Sequence, residues 1–237
     1  MSYPHHLLIL QGRRSKLQHD NIKAIVFDFD GTVANTMPVL ESIAVELLQE
    51  NYGLGEEFAR LGYISTTGLP FCQQIDLLFP NHARNQTVVD VFERRKLESI
   101  FEQPLFEDTI ETLDNLRGQG YYIAVSSSTI QSTIEEYCKR VNIANRLDLI
   151  LGFAPGFEKG KAHITRACEV LGVTSENILY VGDSLRDADR AIESHVAFIG
   201  RTGMFSREDF VKIIPDCPTV SELNELPEVL RRSFESL

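Results

Sequence analysis

The sequence is short of basic side chains. It has 23 Lys and Arg against 34 Asp and Glu, a formal net charge of −11 with His neutral. Nucleic acid and anionic membrane both need clustered Lys and Arg, so neither is expected as a partner. A small anionic substrate is not excluded, provided a cation mediates. Cysteine is sparse as well: Cys72, Cys138, Cys168 and Cys217 stand far apart, with no CxxC pair. That spacing fits isolated thiols in a reducing compartment better than a disulfide framework. No apolar run approaches the ~20 residues of a membrane span. The patch Leu7-Leu8-Ile9-Leu10 is too short for a signal-peptide core, so a soluble cytoplasmic protein is expected. Internal repeats and low-complexity tracts are missing too.

What is present is a composition that argues against disorder: 237 residues, 43% apolar and 24% charged. The length suits one large domain or one domain with an insertion. Short apolar runs rich in β-branched and aromatic residues occur at 22–29, 121–126, 147–153, 177–181 and 196–200. Near-continuous apolar runs of this kind read as parallel strands buried on both faces. Helix-period segments alternate with them. One has a capping-box-like start at Asp108–Glu111 and the stripe Ile110, Leu113, Leu116; a second carries Ile130, Ile134, Tyr137 and Val141. A third carries Ile164, Ala167, Cys168 and Leu171 up to Gly172, and a shorter one covers 185–193. The alternation predicts an α/β fold, a doubly wound parallel sheet of Rossmann-like form.

Residues 37–104 lack a convincing strand. The stripe Val39, Leu40, Ile43, Ala44, Leu47, Leu48 opens the segment, and helical patterns follow near 71–78 and 88–100. The expected organisation is therefore an extension over 1–21, an α/β core over 22–36 and 105–237, and an α-helical insertion over 37–104.

Ligands of open α/β sheets bind beyond the carboxyl ends of the strands. There the first strand ends Asp28-Phe29-Asp30-Gly31-Thr32, the second ends at Ser126-Ser127-Ser128, and the fourth at Gly182-Asp183-Ser184, with Asp187 following. Lys159-Gly160-Lys161 precedes the third helix pattern. Residues i and i+2 of an extended chain face the same way, so Asp28 and Asp30 can share one ligand. Gly31 permits a sharp turn or close approach to an anion. Asp28, Asp30 and Asp183 together call for a divalent cation, and oxygen-only ligands suit Mg²⁺. Ser126 and Lys159 or Lys161 supply donors for phosphate oxygens, and a carboxylate can take a phosphoryl group while a second carboxyl moves the proton.

These motifs resemble those of the haloacid dehalogenase-like hydrolase superfamily, in the branch with a helical cap inserted after the first strand. The resemblance spans about 22–200 and keeps the family's order: Asp28-Phe29-Asp30-Gly31-Thr32-Val33, then Ser126, then a lysine at 159 or 161, then Gly182-Asp183 through Asp187. It implies Asp28 as nucleophile and Asp30 as general acid/base. It also implies Mg²⁺ on Asp28, on the Asp30 main-chain carbonyl and on Asp183, supported by Asp187. Gly31, Thr32, Ser126, Ser127 and a lysine would contact the phosphate. The second aspartate implies phosphoryl transfer rather than dehalogenation. The third motif departs from the Lys-Pro form of phosphoglycolate-phosphatase-like members: Lys159 is followed by Gly160. The implied activity is hydrolysis of a small phosphorylated metabolite, such as phosphoglycolate, a sugar phosphate or a nucleotide. A phosphosugar mutase and a non-catalytic binding protein are the alternatives.

Other catalytic signatures fail. The stretch Gly156–Ala162 has a glycine spacing one short of a P-loop and Ala where Ser or Thr should bind Mg²⁺. No Cys is followed six positions later by Arg, and neither GxSxG nor HExxH occurs. His163 and His195 read as helix-surface or core residues. Within the cap, the loop containing Thr67 and Gly68, followed by Gln73, resembles the family's substrate-facing loop. Arg94-Arg95-Lys96 reads as a solvated helix face.

Overall fold

The computed structural model describes residues 22–232; the extension over 1–21, with its Leu7–Leu10 patch, lies outside them. Strand β1 (Ala24–Asp28) is followed by helices α1 (Met37–Tyr52), α2 (Glu56–Thr66), α3 (Phe71–Leu78), α4 (Asn85–Ile100) and α5 (Thr109–Gly118). Then come β2 (Tyr122–Ile130), α6 (Gln131–Arg140), β3 (Leu149–Phe153), α7 (Lys161–Leu171), β4 (Ile178–Gly182) and α8 (Leu185–Glu193). Strand β5 (Ala197–Arg201), α9 (Arg207–Ile213), β6 (Thr219–Val220) and α10 (Leu226–Arg232) complete the described chain.

The strands form one sheet in the order β3-β2-β1-β4-β5-β6, with every pair parallel. This is the doubly wound α/β arrangement that the sequence predicts. Its physical basis is visible along β1, where every residue is buried. Ile25 and Phe27 enter one apolar cluster with Leu113, Leu116, Ile134 and Tyr137 of α5 and α6. Ala24 and Val26 enter another with Ile164, Ala167 and Ala188 of α7 and α8. Successive side chains of a strand point to opposite faces, so the apolar run from Ala24 to Phe27 needs a helix layer on each. Helices α1–α4 gather around a third cluster that includes Leu40, Leu48, Tyr63, Ile75 and Phe92.

Sheet register places the site. Asp28 lies abreast of Ser126 on β2, and Phe27 abreast of Val181 on β4, two residues before Asp183. Between Ser126 and Ile130 the pairing of β2 with β3 slips, and such irregularities re-aim side chains at sheet ends.

Several local expectations are corrected. Strand β2 runs on to Ile130, so Ile130 ends a strand instead of opening the helical stripe, and α6 starts at Gln131. The capping box at Asp108 does not form; its carboxylate accepts the Asn224 N–H at 3.0 Å instead. Helix α2, with Phe58 and Leu61 exposed on its surface, has too little apolar periodicity to announce itself, and β6 is only two residues long. No described helix is long and apolar enough to cross a membrane.

Candidate active site

Strand ends supply the acids. Asp28, Asp183 and Asp187 are all buried, and one carboxylate oxygen from each lies within 4.8 Å of the others. Lys159, itself 8% exposed, is the cation among them: its Nζ stands 2.6 Å from Asp28 Oδ1 and 2.6 Å from Asp187 Oδ1. Burial raises the Asp28 pKa to about 6, with Lys159 acting the other way and Asp187 adding to the rise. Burial, then the Asp28 charge, pushes the Asp183 carboxyl well up. Burial opposes the charge on Lys159, but Asp187 and Asp28 outweigh it and raise its pKa.

Asp187 does two jobs. As the third residue of α8 it closes a capping box with Ser184, whose Oγ donates to Asp187 Oδ2 at 2.6 Å. The helix thereby holds Asp187 Oδ1 against Lys159. Gly31 explains how the β1 turn fits beside this cluster: its φ is +83°, and a Cβ there would lie 2.1 Å from Asp183 Oδ2. Arg201, at the end of β5, donates from Nη1 to the Gly31 carbonyl at 2.9 Å.

Asp30 is held apart from the acidic cluster. Thr36 Oγ1 donates to its Oδ1 at 2.7 Å, and Thr129 Oγ1 to its Oδ2 at 2.9 Å. Ser127 Oγ donates to the same Oδ2 at 3.4 Å and accepts the Thr129 N–H. Residues 127 and 129 are an i, i+2 pair at the slipped end of β2, which is why both face Asp30. Lys96 reaches in from α4: it is buried, donates to Thr129 Oγ1 at 2.7 Å and stands 3.9 Å from Asp30 Oδ2.

The remaining predicted residues divide. Ser126 is fully buried, with its Oγ 2.9 Å from His163 Nδ1. Thr32 is buried, and its hydroxyl has no partner among the described residues. Lys161 does not join the others: it is the exposed first residue of α7, so Lys159 alone of the pair meets the acids. Thr67 and Gly68 line a cavity of about 60 Å³ together with Asp28, Asp30 and Lys159, but the Thr67 hydroxyl is turned back to the Tyr63 carbonyl. Gly68 contributes its carbonyl, which accepts Arg190 Nη1 at 2.7 Å and Ser128 Oγ at 3.3 Å. Gln73 stands at the seam, donating to Glu158 at 3.1 Å.

Sequence reasoning missed Lys96, and the solvated-face reading of its segment needs correction. Arg94 is exposed and Arg95 pairs with Glu46, whereas Lys96 sits on the turn facing Asp30. Its spacing of four from Phe92 and four from Ile100, both buried, is the signal that places it on the inner face.

The three carboxylates of the cluster face Lys159 and, 3.9 Å from Asp187 Oδ1, Arg190; their surplus charge and hard oxygen donors fit a divalent cation. The Asp30 side chain takes no part in it.

Comparison with known proteins bears on this arrangement. The sequence model of the haloacid dehalogenase-like hydrolase family matches residues 25–201. The chain is 25% identical over 223 residues to a phosphoglycolate phosphatase of Neisseria meningitidis, covering 89% of this chain and 93% of that one. It is 22% identical over 168 residues to the pyrophosphatase PpaX of Halalkalibacterium halodurans, covering 70% and 77%. A haloacid dehalogenase-like hydrolase of Streptococcus pneumoniae has the same fold, with a TM-score of 0.75 at 21% identity over 89% of this chain and 99% of that one.

Proposed function

Since this chain belongs to the haloacid dehalogenase-like hydrolase family, we propose that it is a Mg²⁺-dependent phosphatase that hydrolyses a small phosphomonoester through an aspartyl-phosphate on Asp28. The observation carrying this reading is the contrast in surroundings between two aspartates two residues apart. Asp28 lies in the buried acidic cluster on Lys159, while Asp30 is held outside it by Thr36 and Thr129. A nucleophile and a proton carrier need such different surroundings.

In the proposed reaction, a carboxylate oxygen of Asp28 attacks phosphorus and the ester P–O bond breaks. Asp30 gives its proton to the departing alkoxide. Asp30 then takes a proton from water, whose oxygen attacks the phosphorus of the aspartyl-phosphate and releases inorganic phosphate with Asp28 restored. Lys159 and Ser126 hold phosphate oxygens beside the Gly31-Thr32 turn, whose main-chain N–H groups are bonded to the Ala34 and Phe29 carbonyls. Asp28, the Asp30 carbonyl and Asp183 would hold Mg²⁺, with Asp187 in support; bound there, the ion offsets charge on the transferring phosphoryl group. Residues 37–104 act as a lid over the site. The seam contacts of Gly68, Gln73 and Lys96 with the α/β core are what substrate entry has to open. The substrate is a small phosphorylated metabolite, the class to which the substrate in the Neisseria relative's name belongs.

The test is turnover of a panel of phosphate esters, including an aryl phosphate, by the purified full chain with Mg²⁺ and with EDTA. Turnover that needs Mg²⁺ and is lost in Asp28→Asn supports the reading. Undiminished turnover in either EDTA or Asp28→Asn refutes it, and isomerisation that requires a sugar bisphosphate replaces it with the mutase reading.

A further inference from the structure

The wall of the 60 Å³ cavity mixes apolar and polar side chains, and most of the polar ones are already engaged. Asp28 is on Lys159 and Asp30 on Thr36 and Thr129. Gln74 accepts from Thr66 and donates to the Leu69 carbonyl. Ser128 donates to Gly68 and Thr67 to Tyr63. Lys96 donates a hydrogen bond to Thr129 and faces Asp30 with its charge. Beyond the acidic cluster, the Glu93 carboxylate and the Tyr63 hydroxyl line this cavity without a hydrogen-bond or ion-pair partner among the described residues. Burial raises the Glu93 pKa, with Lys96 acting the other way, as expected of a carboxyl that faces an enclosed space.

Position gives this free carboxylate its meaning. Glu93 and Lys96 are i, i+3 neighbours on α4 and share a face, so Glu93 sits one turn from the lysine that reaches Asp30. Asp30 is the group proposed to protonate the leaving alcohol. The wall carrying Glu93 therefore borders the alcohol half of an ester whose phosphoryl half lies on Asp28 and Lys159. A carboxylate on that alcohol would meet the like charge of Glu93, with Lys96 already bonded to Thr129. A hydroxyl or ammonium would instead donate to Glu93. An unpaired charge of this kind discriminates by repelling one class as well as attracting another.

We propose that Glu93 determines specificity: it selects phosphate esters whose alcohol carries a hydrogen-bond donor over esters whose alcohol carries a carboxylate. This rests on the phosphatase reading, and it sets the chain apart from the substrate in the Neisseria relative's name, since phosphoglycolate carries a carboxylate.

The experiment measures kcat/KM of the full chain with Mg²⁺ on glycerol phosphate, O-phosphoethanolamine, phosphoglycolate and an aryl phosphate, in wild type and in Glu93→Gln. The two donor-bearing esters distinguish a hydroxyl from an ammonium. The better of them is expected to exceed phosphoglycolate by about tenfold or more, and Glu93→Gln is expected to shrink that ratio about tenfold, the usual scale for a hydrogen bond to a charged group. A ratio within one preparation does not depend on how much of it is active, so a folding defect cannot imitate the result. Phosphoglycolate as the best ester, or a ratio unchanged by Glu93→Gln, overturns the proposal and leaves the phosphatase reading standing. Absence of turnover on every ester, the aryl phosphate included, overturns both.

Discussion

Replacing His163 offers a direct measurement of what the site takes from stability. The ring is fully buried, its centroid 4.6 Å from that of Phe157 at a tilt of 37°, and bonded through Nδ1 to Ser126. Burial, then the neighbouring Lys159 charge, lowers its pKa from an ordinary 6.5 to about 4. A basic group with a lowered folded pKa binds fewer protons folded than unfolded across that window. Its stabilising contribution is therefore complete above 6.5 and is lost as pH falls towards 4. At about 1.4 kcal/mol for each pH unit, the loss amounts to about 3 kcal/mol. Asp28 works in the opposite sense, because its raised pKa favours the folded state at low pH and ceases to as pH rises through about 6. A difference between two proteins separates them. His163→Asn keeps an amide near the Nδ1 position and cannot titrate. Urea unfolding of wild type and variant with EDTA, from about pH 7.5 down to pH 4, should show the wild type losing about 3 kcal/mol more. Parallel curves, or a ring that titrates near its ordinary value by NMR, would refute the reasoning.

Three further outcomes follow from the same geometry. Lys159→Ala should lower turnover of any accepted ester by about 10²-fold or more, since it removes the cation on Asp28, while Lys161→Ala should stay within about twofold; equal effects would return the third motif to question. Asp28→Asn should abolish turnover yet keep the far-ultraviolet circular dichroism of the wild type, and a collapsed spectrum would mean that Asp28 serves the fold first. Gly31→Ala should cost about 1–2 kcal/mol for the left-handed backbone alone and should lower turnover more than tenfold by displacing Asp183; thermal melting and kcat measured together check both halves.

Much of the sheet was legible because its strands are apolar on both faces, a pattern that a sheet covered by helices on both sides requires and a half-solvated sheet does not tolerate. The acids at their ends were legible because carboxylates directly after such runs have no structural reason to be there. Asp28 and Asp183 meet, with Asp187 beside them, whereas Asp30, which the i, i+2 spacing put on the same ligand, is turned to Thr36 and Thr129. What stayed hidden depends on packing between distant segments. Lys96 sits in a basic run whose three members go three different ways. Glu93 looks like any helix-surface acid until α4 is seen against Asp30. Ser127 reads equally well as a helix cap, and only the slipped end of β2 turns it and Thr129 towards Asp30. The choice between Lys159 and Lys161 needed the start of α7, which places one lysine in the cluster and the other in solvent.

The two oxygens of Asp187 serve different neighbours, one fastening the start of α8 through Ser184 and one facing Lys159. This narrows the evolutionary latitude of the position. Asparagine, its nearest isostere, keeps only one acceptor: turned towards Ser184 it sets an amide N–H against an ammonium, and turned towards Lys159 it surrenders the cap. Glutamate retains both oxygens but carries them one methylene too far for the helix turn. Drift at residue 187 thus has to await a compensating change at Ser184 or Lys159, so these three positions are expected to vary as a group while the surface around them varies freely.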